Sequence, residues 1–234
     1  MSDIYDQLIR ELSKPSPRDS QRKVGPSELG DLCERCLAEK LLGIHEDENN
    51  HPLAPMIGTA FHLYLENVIG LKGYLKETKV TVGTIDGYGD ISGTCDGFDV
   101  ATGHVVDYKV LTRKKIKAFS SATFFNEQQE PEFYSDSRTE LQLKKYYYQM
   151  MLYGLGMENT GYEVNYCSLV LFPRDCTIES VLQASHELCF KYDRAAALAV
   201  LERANQIFQW ADENRDHIGE LDSHPGCYYC AFKR

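Results

Sequence analysis

The chain has no long apolar run, no internal repeat and no low-complexity tract. Without about 20 consecutive apolar residues a helix cannot span a bilayer, so no membrane partner is expected. The absence of a repeat excludes solenoids and propellers. The amino terminus MSDIYDQLIRELSK mixes charges throughout and lacks the apolar stretch of an export signal, which makes a cytoplasmic protein the expectation. A surplus of positive charge is lacking as well: 25 Lys and Arg face 35 Asp and Glu, for a net charge of −10. That balance argues against a protein that coats nucleic acid through a general basic footprint. It leaves room for an enzyme that meets nucleic acid through bound cations and a local basic patch.

What is present fits one domain. A chain of 234 residues can bury one sizeable core, and residues 1–234 read as a single unit. Eight cysteines without an export signal point to metal ligands, thiols or core residues rather than disulfides. Cys33 and Cys36 form one C-x-x-C, and Cys227 and Cys230 form another. Cys95, Cys167, Cys176 and Cys189 stand alone in apolar surroundings and read as core. The two pairs suit a tetrahedral Zn²⁺ site by residue type, although their long separation excludes a local zinc ribbon.

The periodicity predicts a helix over residues 2–13, then a polar loop. Ser27 reads as the N-cap of a second helix running to Gly43, and Pro55 as the opening of a third that carries His62 and Glu66. From Tyr74 to Val110 alternating and β-branched residues, punctuated by glycines, predict three or four strands. Residues 118–137 have no clean period and read as a flap. A strong helix follows over 138–157, then a buried strand VNYCSLVLFP, then an alternating segment TIESVLQASHELCFKY read as another strand, then a helix over 193–214. This order predicts an α/β fold with a mixed central β-sheet flanked by helices.

The chemistry concentrates in GTCDGFDVATGHVVDYK, residues 93–109. Asp107 and Lys109 are two apart on a strand and share a face, and the turn at Thr102-Gly103 can bring Asp96 beside them. Two carboxylates and an ammonium on one face call for a divalent cation and a phosphate. His62 and Glu66, four apart, share a helical face and can converge on the same sheet edge; taken alone, a histidine among Phe61, Leu63 and Leu65 is more often a packed or surface residue than a ligand. Mg²⁺ or Mn²⁺ would be held by Asp96, Asp107 and the Tyr108 carbonyl, with Lys109 orienting or deprotonating a water. A histidine in the set favours Mn²⁺. Arg113, Lys114, Lys115 and Lys117 form a basic stretch that is either a solvated loop or a nucleic-acid contact.

The ordered set Gly58–His62 (GTAFH), Gly93–Gly97 (GTCDG), Val106–Lys109 (VDYK) and Gln149–Tyr153 (QMMLY) resembles the PD-(D/E)xK nuclease superfamily, in particular its RecB-like exonuclease branch. The resemblance implies a restriction-endonuclease-like core over 58–157. It further implies metal binding by His62, Asp96 and Asp107, catalysis by Lys109, and active-site or DNA contacts from Gln149 and Tyr153. Glu66 comes from helical geometry alone, and Gln142 with Tyr146 offers a second phasing of Q-x-x-x-Y. The superfamily's proline is absent. Relatives such as the CRISPR-associated exonucleases hold an iron–sulfur cluster, commonly 4Fe-4S, with cysteines from both chain ends. By that resemblance Cys33, Cys36, Cys227 and Cys230 hold one here, joining residues 27–43 to 215–234, with Zn²⁺ as the alternative and His224 as a substitute ligand. Those relatives divide their cysteines one and three, whereas this chain divides them two and two. The function implied is a metal-dependent DNA exonuclease acting on single strands or ends in recombination, repair or phage DNA metabolism. A non-catalytic nucleic-acid-binding or adaptor protein, and a metal or redox sensor, are the competing readings.

Overall fold

A computed structural model describes residues 4, 7, 23–45, 53–70, 72–122, 124–125, 131–132, 138–227 and 229–230. The helix expected over 2–13 lies almost wholly outside them. A five-stranded sheet organises the rest, in the order β1-β2-β3-β6-β7. The strands β1 (Tyr74–Ile85), β2 (Gly89–Asp99) and β3 (His104–Leu111) form an antiparallel meander. β6 (Tyr166–Pro173) lies parallel to β3, and β7 (His186–Lys191) antiparallel to β6. The sheet is therefore mixed and flanked by helices, as the periodicity predicts.

The parallel β3–β6 pairing requires a crossover. It contains α4 (Arg113–Ala122), the short ribbon β4 (Phe124–Phe125) and β5 (Pro131–Glu132), and the long α5 (Arg138–Asn159). The second half of α5 is buried from Gln149 to Met157. A helix apolar on every side belongs inside, and here it packs on β1 and on α7 (Arg194–Glu213). Val80, Ile91, Val105, Leu169, Met151 and Phe190 meet in one contiguous core.

Several local expectations are corrected. The helix assigned to Ser27 is two helices, α1 (Pro26–Leu29) and α2 (Glu34–Leu41). Gly25, not Ser27, is the first N-cap, and its N–H donates to the Glu28 carboxylate at 3.0 Å. Pro26 then takes the first helical position, where a missing N–H costs nothing. The third helix, α3 (Leu53–Val68), begins two residues before Pro55, which falls within the first turn. The basic stretch is no loop: Arg113, Lys114, Lys115 and Lys117 lie on α4, whose Arg113 N–H is capped by Asp175 at 2.8 Å. TIESVLQASHELCFKY divides into α6 (Ile178–Ala184) and β7, because true alternation begins only at His186, where Leu188 and Phe190 turn inward. Of the lone cysteines, Cys95 and Cys167 are core, whereas Cys176 is half-buried and Cys189 exposed on the edge strand β7. Among the described residues no helix is long and apolar enough to cross a membrane.

Candidate active site and cysteine centre

The hairpin β2–β3 and helix α3 converge as the spacing predicts. His62 directs Nε2 to the Tyr108 carbonyl at 3.2 Å, and its Nδ1 lies 3.3 Å from Asp96 Oδ1. The other Asp96 oxygen accepts the Tyr108 N–H at 2.8 Å, so one carboxylate joins α3 to β3. Asp107 is 1 % exposed, with Oδ1 accepting from Gln149 Nε2 at 3.0 Å and Oδ2 2.5 Å from Lys109 Nζ. That Oδ2 is buried and meets the Lys109 ammonium as a close charge pair, which leaves a second acceptor position on the oxygen. Lys109 also sits 5.2 Å from the Tyr146 ring centroid.

Two glycines of the GTCDG run have steric reasons. A Cβ at residue 93 would lie 2.7 Å from Pro26 Cδ and 3.1 Å from Tyr153, and one at residue 97 would collide with the Tyr74 hydroxyl. Gly93 thus lets α1 and Tyr153 close over Asp96 and Asp107. Tyr153 is buried, and burial holds its hydroxyl well above the usual range.

The charges are mutually dependent. Hydrogen bonding to Asp96, then to Glu77, lifts the His62 imidazole to about 10 although burial opposes this. Burial pushes the Asp107 carboxyl up, against the pull of Lys109. For Lys109 burial works downward, but Asp107 and Asp96 outweigh it and hold the ammonium above its ordinary value. Lys109 is therefore a fixed cation at neutral pH, suited to orienting water or phosphate rather than to taking up a proton.

The carboxylate beside His62 and Asp96 is Glu77, not Glu66. Glu77 Oε1 is 3.6 Å from His62 Nδ1, and His62, Glu77 and Asp96 present donor atoms all within 4.8 Å of one another. Glu66 is exposed and offers its backbone carbonyl to Lys76. The four-residue spacing gave the right face, but one further turn carries Glu66 about 5 Å along the axis. Gln149 rather than Gln142 reaches Asp107, while Gln142 donates to Tyr146 at 2.7 Å. None of Arg113, Lys114, Lys115 and Lys117 lines the cavity of about 1000 Å³ over these residues; its lysines are Lys23, Lys40, Lys109 and Lys145.

That cavity extends toward the second cluster. Cys33, Cys36, Cys227 and Cys230 are buried together, with Sγ separations of 3.4 Å (Cys33–Cys230 and Cys36–Cys227) and 3.6 Å (Cys36–Cys230). Thiols this close cannot all ionise without a cation. Hydrogen bonding from Cys36 pulls Cys33 down to about 5, while Cys33 pushes Cys36 up and burial pushes Cys230 up to about 12. A single zinc ion with Zn–S of about 2.3 Å implies a tetrahedral edge of about 3.8 Å, close to the observed spacing. An iron–sulfur cluster suits the same four ligands but holds them further apart. His224 turns its Nδ1 to the Gly226 N–H at 3.0 Å and stands outside the sulfur set. Arg35 donates to the Leu221 carbonyl at 3.2 Å, and its N–H to that of Asp222 at 3.3 Å, tying α2 to the tail. Asp31 links this region to α5: it accepts the Cys33 N–H at 3.2 Å and pairs with Lys145 at 3.1 Å, one turn before Gln149.

No protein-family profile matches the chain, and no curated protein matches it in sequence. Among solved structures it is similar to an alkaline exonuclease, LHK-Exo, from Laribacter hongkongensis, with a TM-score of 0.50 at 13% identity over 85% of this chain and 92% of that one. The complex of LHK-Exo with dAMP gives a TM-score of 0.50 at 15% identity over the same shares. A phage related exonuclease from Haemophilus somnus 129PT gives 0.48 at 14% identity over 91% and 94%. At such identities the likeness to LHK-Exo establishes a shared fold.

Proposed function

We propose that this chain is a metal-dependent deoxyribonuclease, an exonuclease acting on single-stranded DNA or DNA ends, in recombination, repair or phage DNA metabolism. The observation that carries the reading is the convergence in one cavity of His62, Asp96, Asp107 and Lys109, with two buried carboxylates beside the Lys109 ammonium. Buried carboxylates gathered in one cavity are costly unless cations join them. The fold shared with LHK-Exo, solved also with dAMP, supports the same reading.

His62, Asp96, Asp107 and the Tyr108 carbonyl would hold Mg²⁺ or Mn²⁺, hard oxygen donors with one imidazole. When bound, the cation supplies Lewis acidity at the scissile phosphate. Gln149 keeps Asp107 oriented through its amide, and Tyr153 closes the cavity wall behind it. Lys109, permanently charged, offsets the phosphate's negative charge and orients the attacking water. Lys23, Lys40 and Lys145 offer positive charge to a strand in the cavity. The four cysteines form a structural metal centre. The resemblance implies an iron–sulfur cluster, the sulfur spacing favours zinc, and absorbance near 400 nm separates the two.

Incubating the protein with end-labelled single-stranded DNA and Mn²⁺ tests the reading. Degradation by the wild type and none by Asp107→Ala is expected. No degradation by either overturns it in favour of a non-catalytic binding protein, and equal degradation by both overturns it by tracing the activity to something other than this site.

A further inference from the structure

Glu77 is unusual in its backbone. Its φ is 45°, and among the described residues it is the one non-glycine residue with positive φ. It also interrupts the β1–β2 ladder. Lys76 pairs with Gly97 and Thr78 with Cys95, but between them Glu77 and Asp96 make no pair. A residue with a Cβ in the left-handed region is strained, and such strain persists only where the surroundings enforce it. A turn would account for the conformation, yet Glu77 lies inside a 12-residue strand. The strained residue opens the ladder directly opposite Asp96 and sets its carboxylate 3.6 Å from His62, on the cavity wall.

We propose that Glu77 is a ligand of the divalent cation, a third carboxylate that completes a seat with His62 and Asp96, and that its left-handed backbone is what aims it there. This rests on the nuclease reading above and adds to it a residue that neither helical spacing nor the motif pattern supplies. The three donor atoms are mutually within 4.8 Å, as hard ligands around one cation must be. They come from three elements, α3, β1 and β2, so that bound cation would tie β1 to the hairpin where the ladder is interrupted.

A plainer role exists, in which Glu77 merely pairs with a protonated His62. The two roles predict different outcomes. If Glu77 only pairs with the imidazolium it makes no bond to the cation, and removing it leaves Mn²⁺ affinity unweakened. If Glu77 is a ligand, Mn²⁺ binds more weakly.

The test is Mn²⁺ titration of the full-length protein, by calorimetry or by loss of the free-ion electron paramagnetic resonance signal. It would compare wild type, Glu77→Gln, Glu77→Gly and Asp107→Ala, with thermal melting in chelator alongside. Both Glu77 variants should bind Mn²⁺ at least tenfold more weakly. In chelator Glu77→Gly should melt about 2–4 °C higher, because glycine accepts the positive φ without strain, while Glu77→Gln should show no rise. Wild-type or tighter affinity in Glu77→Gln overturns the ligand role, and a lower melting temperature for Glu77→Gly overturns the strain account. If the wild type binds Mn²⁺ and Asp107→Ala does not, an unaltered Glu77→Gln sinks only this inference. If the wild type binds none, the nuclease reading falls with it.

Discussion

The hairpin site and the cysteine centre both gather metal-binding side chains, and they do so by opposite routes. The first draws oxygen and imidazole donors from one strand meander and a neighbouring helix, within 46 residues from His62 to Asp107. The second joins soft sulfur donors 197 residues apart, from Cys33 to Cys230. Loop-closure entropy grows only with the logarithm of length, so the longer bridge costs about 1 kcal/mol more to close, and what sets the cysteine centre apart is that it ties the two ends of the fold together. On the proposed reading the first site does chemistry and the second gives cohesion.

Asp107→Asn and Cys230→Ser should therefore fail in opposite ways. Loss of the buried Asp107 carboxylate is expected to lower turnover on the order of 10³-fold. Its effect on melting should be small, since the burial penalty of a charge and its attraction to Lys109 oppose each other. If the cysteines hold a structural metal as proposed, Cys230→Ser removes one of its ligands at a cost of several kcal/mol, and the melting temperature should fall by about 10 °C or more. Turnover per folded molecule, measured well below that temperature, should stay within about tenfold of the wild type. Similar profiles in both variants would erase the division of labour.

How much of this was legible beforehand follows the same division. C-x-x-C pairs and a D-x-K strand can be read directly, because spacing alone fixes which side chains share a face or a knuckle. Gln149 was separable from Gln142 only by the apolar run that follows it, which is the run that buries α5. Glu77 was not legible at all. KETKV reads as an ordinary exposed strand, and nothing in the letters announces a positive φ at a glutamate. Helical geometry points to Glu66 instead, because it supplies a face but not the distance along the axis at which the sheet edge ends. The split of residues 177–192 into α6 and β7 is not legible either, because apolar alternation over a few residues does not distinguish a short helix from a strand.

Lys145 tests whether the two regions act independently. Its ammonium pairs with Asp31, which also receives the Cys33 N–H, and it lines the cavity near Gln149. Burial raises the Asp31 carboxyl, but Lys145 and Lys40 outweigh that and hold it below its ordinary value. Lys145→Met leaves Asp31 with Lys40 at 3.7 Å. With the pair partly exposed, the loss is about 1–2 kcal/mol, or about 3–6 °C in melting temperature. A fall in turnover at saturating DNA would show that the cysteine region positions α5, whereas weaker DNA binding alone would reflect the charge that Lys145 presents to the cavity. A fall in stability alone would separate the two.

The smallest effect is a proton count at the hairpin site. Asp96 first and Glu77 second raise His62 to about 10, from an ordinary value of 6.5, so the cation-free protein carries it protonated at neutral pH. For a base raised in this way the stabilisation is complete below about pH 6.5 and is lost as pH rises through about 10. A divalent cation bound to the imidazole must displace that proton. At pH 7, Mn²⁺ binding should release about one proton per ion, measurable as the difference in calorimetric heat between two buffers of unlike ionisation enthalpy. Mn²⁺ affinity should accordingly rise about tenfold per pH unit between pH 6 and 8. Loading of the cysteine centre should release several protons instead, because thiols must ionise to bind metal and burial pushes Cys230 up. Proton-neutral Mn²⁺ binding would remove His62 from the ligand set and leave the cation to the carboxylates alone.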